Sequence, residues 1–127
     1  MSALVLDAGA LVAVDRGDRA MIARLRVAQR RGLELRSNAM VVAQVWRDRS
    51  GRQAVLAQLL RAVDVRAVRP SDGRQAGVLL GITGTSDPVD ATVALLAYPG
   101  DRILTSDPAD LTRLAQAAAN RAVIVAC

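Results

Sequence analysis

Residues 103–110 have the sequence Ile-Leu-Thr-Ser-Asp-Pro-Ala-Asp (ILTSDPAD), in which a predicted strand runs directly into a predicted helix. The segment Arg102–Thr105 (RILT) is typical of a buried strand. Asp107 can cap the helix that follows, because its carboxylate can accept hydrogen bonds from the free N–H groups of the first turn, and proline fits the next position. A strand followed at once by a capped helix is the repeating unit of α/β proteins.

The hexapeptide pattern Thr-Ser-Asp-Pro-x-Asp occurs twice, at residues 85–90 (TSDPVD) and at 105–110 (TSDPAD). Both copies predict a helix with an aspartate cap. The second aspartates, Asp90 and Asp110, fall in the third helical position, where the helix dipole favours a negative charge. Helix capping alone is therefore one explanation for the acidic residues of both segments, Asp87 included.

Strand and helix patterns alternate along the rest of the chain, with Ala8 opening an element after the first strand. We predict strands at residues 3–6, 33–36, 63–68, 102–105 and 122–125, and helices at 18–31, 38–48, 52–61, 70 to 81 or 84, 87–97 and 107–118. This alternation predicts one domain over residues 1–127, built as a three-layer α/β/α sandwich around a central parallel sheet.

The composition excludes several classes of enzyme. The chain has no His and no Lys, and its one Cys is Cys127. Catalytic triads built on His, Schiff-base lysines, lysine-containing phosphate loops and His/Cys zinc sites are therefore excluded. The ionisable groups left for catalysis are almost all Asp, with Arg to hold phosphate. Carboxylates that act on phosphate groups indicate a hard divalent cation such as Mg²⁺ or Mn²⁺.

The charge of the chain suits a nucleic-acid partner. It carries 17 basic and 12 acidic residues, a net charge of +5, and every basic residue is Arg, which binds phosphate through paired N–H groups. Candidates to guide an RNA backbone are Arg30, Arg31, Arg49 and Arg52. A solvated arginine face and the codon bias of a GC-rich gene are the alternative explanations.

The sequence predicts a cytoplasmic protein without a membrane segment. Asp7 interrupts the apolar N-terminal stretch and no basic residue precedes it, so we expect a strand and a helix start there rather than a signal peptide. No run reaches the roughly 18 apolar residues that a membrane-spanning helix needs. The single Cys127 allows no internal disulfide, which suits a reducing compartment.

Acidic residues from three distant segments are predicted to meet at one edge of the sheet. In a parallel α/β sheet the strand ends and the helix starts share the carboxyl edge, where ligands bind. Asp7 follows the first strand, Asp87 and Asp90 start one helix, and Asp107 and Asp110 start another. Such a concentration of carboxylates is unfavourable unless a cation lies among them. We therefore predict a metal site at this edge.

Four motifs resemble, in order and spacing, those of the PIN-domain family, and in particular the VapC-like toxin ribonucleases of type II toxin–antitoxin systems. The motifs are LVLDAGALVA at 4–13, VVAQVWRD at 41–48, DATVALLA at 90–97 and ILTSD at 103–107. The resemblance spans the whole chain. It implies a PIN-like fold and a Mg²⁺- or Mn²⁺-dependent endoribonuclease that hydrolyses RNA phosphodiesters as the toxin of a VapBC-type pair.

The resemblance also implies roles for particular residues. Asp7 and Asp90 match the acids that hold the metal in that family. Asp107 matches a further acid of the cluster, either as a ligand or as the group that positions a water molecule. Thr105 or Ser106 would orient that acid or a water.

Gln44 stands where the family usually has Glu. This departure removes one negative charge from the site and would weaken metal binding, although Asp87 or Asp110 could restore the charge if their side chains point inward. Gln44 is otherwise a polar residue that bridges its neighbours. Arg47, in the same helix, would hold the phosphate beside the cleaved bond, with a solvated surface arginine as the alternative.

The resemblance implies two protein partners, a small antitoxin that inserts a segment into the acidic groove and a second copy of the chain. A catalytically degenerate PIN domain that binds only RNA or an antitoxin is the main alternative, and Gln44 favours it. Receiver domains need a Lys, and haloacid-dehalogenase-type phosphatases need Asp-x-Asp where this chain has Asp7-Ala8-Gly9. A purely structural α/β module is the last alternative. The sequence leaves the RNA target open.

Overall fold

The computed structural model describes residues 2–48 and 50–127, so the expectation that Arg49 guides RNA lies outside the described residues. Strands and helices alternate along these residues. In chain order they are β1 (Ala3–Leu6), α1 (Ala8–Asp15), α2 (Arg19–Arg30), β2 (Glu34–Asn38), α3 (Ala39–Val45), α4 (Ala54–Leu60), β3 (Val63–Arg66), α5 (Pro70–Thr83), α6 (Pro88–Ala94), β4 (Arg102–Thr105), α7 (Pro108–Ala117) and β5 (Val123–Ala126).

The strands form one parallel sheet in the order β3-β2-β1-β4-β5. The chain moves from β1 outward to β3, crosses back to β4 and then continues to β5. Because parallel crossovers are right-handed, α1 to α4 pack on one face of the sheet and α5 to α7 on the other. Contacts of α1 with α2, α3 and α4, and of α5 with α6 and α7, agree with this arrangement. The predicted three-layer α/β/α sandwich with a central parallel sheet is confirmed.

Strand β1 lies at the centre of the sheet and is covered on both sides. All four of its residues, Ala3–Leu6, are buried, as expected for a strand between two helix layers. The edge strand β3 differs, since Val63 is buried whereas Asp64 and Val65 are exposed. Among the described helices, none is both long enough and apolar enough to cross a membrane.

Several predicted boundaries were wrong, and side chains explain the largest differences. The strand predicted at 33–36 extends to Asn38, because the Ser37 hydroxyl donates a hydrogen bond to the Leu6 carbonyl and the register continues. The helix predicted to reach residue 48 ends at Val45, where Trp46 becomes extended. The helix predicted to reach residue 97 ends at Ala94, and strand β3 ends at 66 instead of 68.

Arg36 is a buried charged residue in β2 that no pattern in the sequence indicated; it is 4% exposed. Its guanidinium donates to Asp101 Oδ2 at 3.0 Å and to the Leu96 carbonyl at 2.7 Å. It also lies over the Tyr98 ring, 4.8 Å from the centroid. These contacts join a central strand to the chain that leaves α6.

Asp101 completes this network at the amino edge of the sheet. It accepts hydrogen bonds from the backbone N–H groups of Ala3 and Tyr98, both at 2.8 Å. Burial by itself would raise the pKa of Asp101, but these N–H groups and the Arg36 guanidinium together hold it below its usual value. The carboxylate therefore stays charged and fixes the start of β1 against the segment before β4.

We expect Asp101→Asn to destabilise the protein by about 3 kcal/mol, because it removes the buried counter-ion of Arg36 and leaves this buried charge only the exposed Glu34 carboxylate, 3.1 Å away. Urea unfolding at pH 7 measures this loss. Asp64→Asn is the matched control, since Asp64 pairs with Arg66 at 3.1 Å on the exposed edge strand and should cost less than about 1 kcal/mol. Equal losses of unfolding free energy in the two variants would show that the buried pair stabilises the protein no more than the exposed pair does.

Candidate metal centre

Three carboxyl groups meet where the first turns of α6 and α7 lie side by side. Asp90, Asp107 and Asp110 each offer an oxygen atom, and these atoms all lie within 4.8 Å of one another. Asp90 is buried and the other two are half-buried. Since Mg²⁺ binds oxygen at about 2.1 Å, two of its ligand atoms can lie up to about 4.2 Å apart. The group therefore has the donor atoms and nearly the spacing that a small divalent cation requires.

The two Thr-Ser-Asp-Pro-x-Asp segments begin their helices differently. Asp87 caps α6 as predicted, because Oδ1 accepts hydrogen bonds from Val89 N at 2.9 Å and Asp90 N at 3.4 Å. The prediction that the Asp107 side chain caps α7 was wrong, since it makes no capping hydrogen bond. The Asp87 carboxylate thus serves its own helix, whereas that of Asp107 joins the group formed with Asp90.

Asp7 lies beside this group but does not belong to the set of atoms within 4.8 Å. It is buried at the end of β1, where Oδ1 accepts from Ala8 N at 2.8 Å and Oδ2 accepts from the Thr105 hydroxyl at 2.7 Å. Thr105 Oγ1 in turn accepts from Asp107 N at 2.9 Å. One buried hydroxyl therefore fixes both the Asp7 carboxylate and the turn that carries Asp107.

The pKa of Asp90 is raised to about 7. Burial is the largest cause, followed by the negative charges of Asp7 and Asp87 and by the hydrogen bond and charge of Asp107. Within the described part of the chain, no arginine forms an ion pair with Asp7, Asp90 or Asp107. Arg113 lies 3.9 Å from Asp110 at the outer side of the group. The negative charge here is thus largely uncompensated by the protein.

Gly9 allows α1 to approach the turn after β4, which sequence reasoning did not anticipate. A Cβ atom at Gly9 would lie 2.8 Å from Ser106 Oγ and 3.2 Å from Cys127 Sγ. Ser106 itself is exposed. A larger residue at position 9 would require Ser106 or the first turn of α1 to shift. In the Asp-Ala-Gly sequence, the aspartate supplies an acid and the glycine is needed for close packing against Ser106.

Gln44 and Arg47 lie at the end of α3 and are both exposed. The Arg47 guanidinium donates to the carbonyl oxygens of Ala43 at 2.9 Å, Trp46 at 2.7 Å and Gln44 at 3.1 Å, so it closes the end of this helix. The phosphate contact expected of Arg47 stays a prediction. The Gln44 side chain makes no hydrogen bond within the described residues, and its expected role beside the acids stays a prediction too.

Asn38 is a further polar residue at this edge of the sheet. Its Oδ1 accepts from Met40 N and Val41 N, both at 3.0 Å, and thereby caps α3. Its Nδ2 donates to Thr92 Oγ1 at 3.0 Å, which ties α6 to the end of β2. The helix that carries Asp90 is thus held to the neighbouring strand two residues after the acid.

Replacing Asp90 by Asn is expected to stabilise the metal-free protein near pH 8. The pKa of Asp90 lies near 7 in the folded chain and at the ordinary 3.8 in the unfolded chain. The folded state therefore binds an additional proton between these values, and the stability of the wild type falls as the pH rises through this window. In EDTA at pH 8 the variant should melt roughly 3–6 °C above the wild type, measured by circular dichroism.

The difference between Asp90→Asn and wild type should shrink as the pH approaches 4, because the aspartate then keeps its proton in the folded state and is only partly ionised in the unfolded state. Asp64→Asn, which removes an exposed carboxylate from β3, provides the matched control and should not show this pH dependence. A melting-temperature difference that is the same at pH 4 and pH 8 would contradict the electrostatic explanation.

Comparisons with known proteins bear on the fold. No family model matches the sequence, and no curated protein matches it. Among solved structures, the chain is similar to one in the crystal structure of VapBC2 from Rickettsia felis bound to a DNA fragment from their promoter. The two chains share 12% identity and superpose with a TM-score of 0.70 over 98% of each. This similarity concerns the fold, and it agrees with the α/β/α fold that the resemblance to PIN domains implies.

Proposed function

We propose that this protein is a Mg²⁺- or Mn²⁺-dependent endoribonuclease that acts as the toxin of a VapBC-type pair in the cytoplasm. The observation that carries the proposal is the group of Asp90, Asp107 and Asp110 oxygen atoms within 4.8 Å of one another. It lies at the carboxyl edge of a parallel sheet, where α/β proteins bind their ligands. The similarity in fold to a chain of a VapBC2 complex supports the same function.

The residues fit a hard divalent cation. All donors in the group are carboxylate oxygens, the ligands that Mg²⁺ and Mn²⁺ prefer. The raised pKa of Asp90 shows that its charged form lacks a partner within the protein, and a bound cation would supply one. Asp90 and Asp107 would hold the ion, with Asp110 as a third carboxylate. Asp7, at the end of β1, would contribute its negative charge from beside the group.

A cation bound there would stabilise the charge that develops on the phosphate and lower the pKa of a bound water. The protein's own contribution is to position the acids. Thr105 fixes the orientation of Asp7 by donating to one of its oxygens at 2.7 Å. The Asp107 carboxylate, released from capping, faces the group, and burial keeps Asp90 away from bulk water. Arginines on the surface would attract the RNA backbone.

Asp110 bears on whether Gln44 leaves the site inactive. A metal site with Gln in place of Glu has one negative charge fewer, which favours a degenerate domain that binds only RNA or an antitoxin. Asp110, however, places a further carboxylate oxygen within 4.8 Å of those of Asp90 and Asp107. We infer that it supplies the charge that position 44 lacks, and this favours the active enzyme.

We further propose that a small antitoxin covers the acidic group and that the protein forms a homodimer. In the similar structure, VapBC2 is bound to a DNA fragment from its promoter. An arginine from an antitoxin segment would neutralise the buried charge of Asp90 as a metal ion would. A short gene for a DNA-binding protein directly upstream would support this partner.

The purified protein should cleave single-stranded and structured RNAs in the presence of Mn²⁺, and EDTA should abolish cleavage. Asp7→Asn and Asp90→Asn should each lower the rate at least about 100-fold, because each removes a charge on which the metal site depends. Gel electrophoresis of labelled RNA measures the rates. Glu34→Gln removes an exposed acid at the amino end of β2, on the edge of the sheet opposite the acidic group, and should leave the rate unchanged. Cleavage that persists in Asp90→Asn would assign the activity to a contaminant or another site.

Gln44→Glu should tighten Mn²⁺ binding by about three- to tenfold if position 44 faces the metal, since each added carboxylate charge strengthens cation binding. Isothermal titration calorimetry measures the affinity. Gln58→Glu is the matched control, because it introduces the same charge at an exposed position of α4. If the two variants bind Mn²⁺ equally, position 44 does not belong to the metal site.

A further inference from the structure

A cavity of about 460 Å³ lies on the face of the sheet that carries α5 and α6, next to the edge strand β3. It is separate from the acidic group. The residues that give it polar and aromatic character are Asn38, Arg66, Arg69, Thr92 and Tyr98, and Leu95 and Leu96 form its apolar side. Its volume lies within the range of sites that hold small organic ligands.

The cavity begins at the same edge of the sheet as the acidic group. In the pairing of β1 with β2, Val5 lies opposite Arg36, so two residues further on Asp7 lies opposite Asn38. Neighbouring strands are about 4.8 Å apart. Asn38 belongs to the cavity wall, and its amide donates to Thr92 of α6. One end of the cavity therefore lies one strand away from Asp7.

Helix α6 connects the two sites as well. Asp90 lies in its first turn and belongs to the acidic group, whereas Thr92 and Leu95 line the cavity. At 1.5 Å per residue, Asp90 and Leu95 are about 7.5 Å apart along the helix axis. A chain molecule that passes the acids at the start of α6 can thus reach the cavity beside the second half of this helix.

The lining of the cavity is basic and aromatic. Tyr98 is 53% exposed, and the Arg66 guanidinium donates to its hydroxyl at 3.0 Å. The Arg69 side chain is 76% exposed, and its nearest acid, Asp72, lies 3.7 Å away. Asp72 is the one acidic residue of the lining, and it accepts the Arg69 backbone N–H at 2.8 Å. Arg69 and Arg66 lie next to the exposed part of the Tyr98 ring, although Arg66 also pairs with Asp64 at 3.1 Å, and this arrangement suits a phosphate and a base.

We propose that this cavity binds one nucleotide of the RNA substrate, with the base against the Tyr98 ring and a phosphate at the guanidinium groups of Arg69 and Arg66. The proposal rests on the proposed ribonuclease function and assigns a subsite to it. Single-stranded RNA is typically bound by stacking of bases on aromatic side chains and by arginine. Asn38 and Thr92, which hydrogen-bond to each other, form the polar inner end of the cavity.

The test measures RNA binding without cleavage. Each variant is made in the Asp90→Asn protein, and the affinity for a short fluorescent single-stranded RNA is measured by anisotropy. Tyr98→Leu should weaken binding about five- to tenfold through loss of stacking, and Arg69→Ala about three- to fivefold through loss of a phosphate contact. Tyr98→Phe keeps the ring and should change the affinity less than about twofold.

Arg102→Ala is the charge-matched control, because Arg102 is exposed at the start of β4, at the opposite edge of the sheet. It should bind RNA as the parent protein does. In the wild-type protein with EDTA, an RNA carrying 5-bromouridine should cross-link to Tyr98 on irradiation, with the site identified by mass spectrometry. Thermal unfolding checks that each variant is folded.

Unchanged affinity in both Tyr98→Leu and Arg69→Ala would overturn the proposal. A shift in the monomer–dimer equilibrium of these variants, with RNA affinity unchanged, would also overturn it and assign the cavity to a protein interface. A failure of the proposed nuclease function would give a different result from a failure of the subsite. RNA would then bind in a manner that depends on Tyr98, but the wild-type protein would not cleave it in Mn²⁺. Conversely, Mn²⁺-dependent cleavage with Tyr98-independent binding would retain the enzyme and reject the subsite.

Discussion

Electrostatic repulsion among carboxylates is the constraint on which the acidic edge of this sheet depends. Asp90 lies buried near Asp7, Asp87 and Asp107, and burial together with these charges raises its pKa to about 7. Such an arrangement costs stability in the absence of a cation. The fold maintains it because the acids sit at the ends of β1 and at the starts of α6 and α7, and backbone and hydroxyl donors fix several of them.

Helix α6 is held at both ends, which explains how it can carry an unfavourable charge. At its start, Asp87 caps the first turn, and in its second half Thr92 accepts a hydrogen bond from Asn38. Just beyond its end, the Leu96 carbonyl accepts from buried Arg36. The network of Arg36 and Asp101 therefore provides stability at the amino edge of the sheet, whereas the carboxyl edge is left free for chemistry. Functional sites are commonly placed in this way, with strain at the site and support elsewhere.

The two Thr-Ser-Asp-Pro-x-Asp segments show how similar sequences acquire different roles. Asp87 accepts hydrogen bonds from its own helix, whereas Asp107 does not. The difference arises next to Thr105, whose hydroxyl accepts the Asp107 N–H and donates to Asp7. At the corresponding place before α6, Thr85 hydrogen-bonds with Thr83 instead. The strand that precedes α7 thus fixes a turn that frees one carboxylate for the acidic group.

The sequence by itself determined the class of the fold and limited the residue types available for chemistry. Alternation of strands such as Ala3–Leu6 with capped helices predicted the parallel sandwich, because hydrophobic periodicity and caps are local signals. The absence of His and Lys restricted catalysis to carboxylates. The position of Asp90 and Asp107 at one edge followed from the topology of a parallel sheet.

Only the tertiary structure decided what depends on contacts between distant segments. The buried pair of Arg36 and Asp101 joins residues 65 positions apart, so no local pattern could indicate it. The inclusion of Asp110 in the acidic group, and the position of Asp7 just outside it, depend on how α6 and α7 pack. Local sequence specifies helices, strands and caps, whereas the direction of each side chain is set by the packing of elements that are remote in the chain.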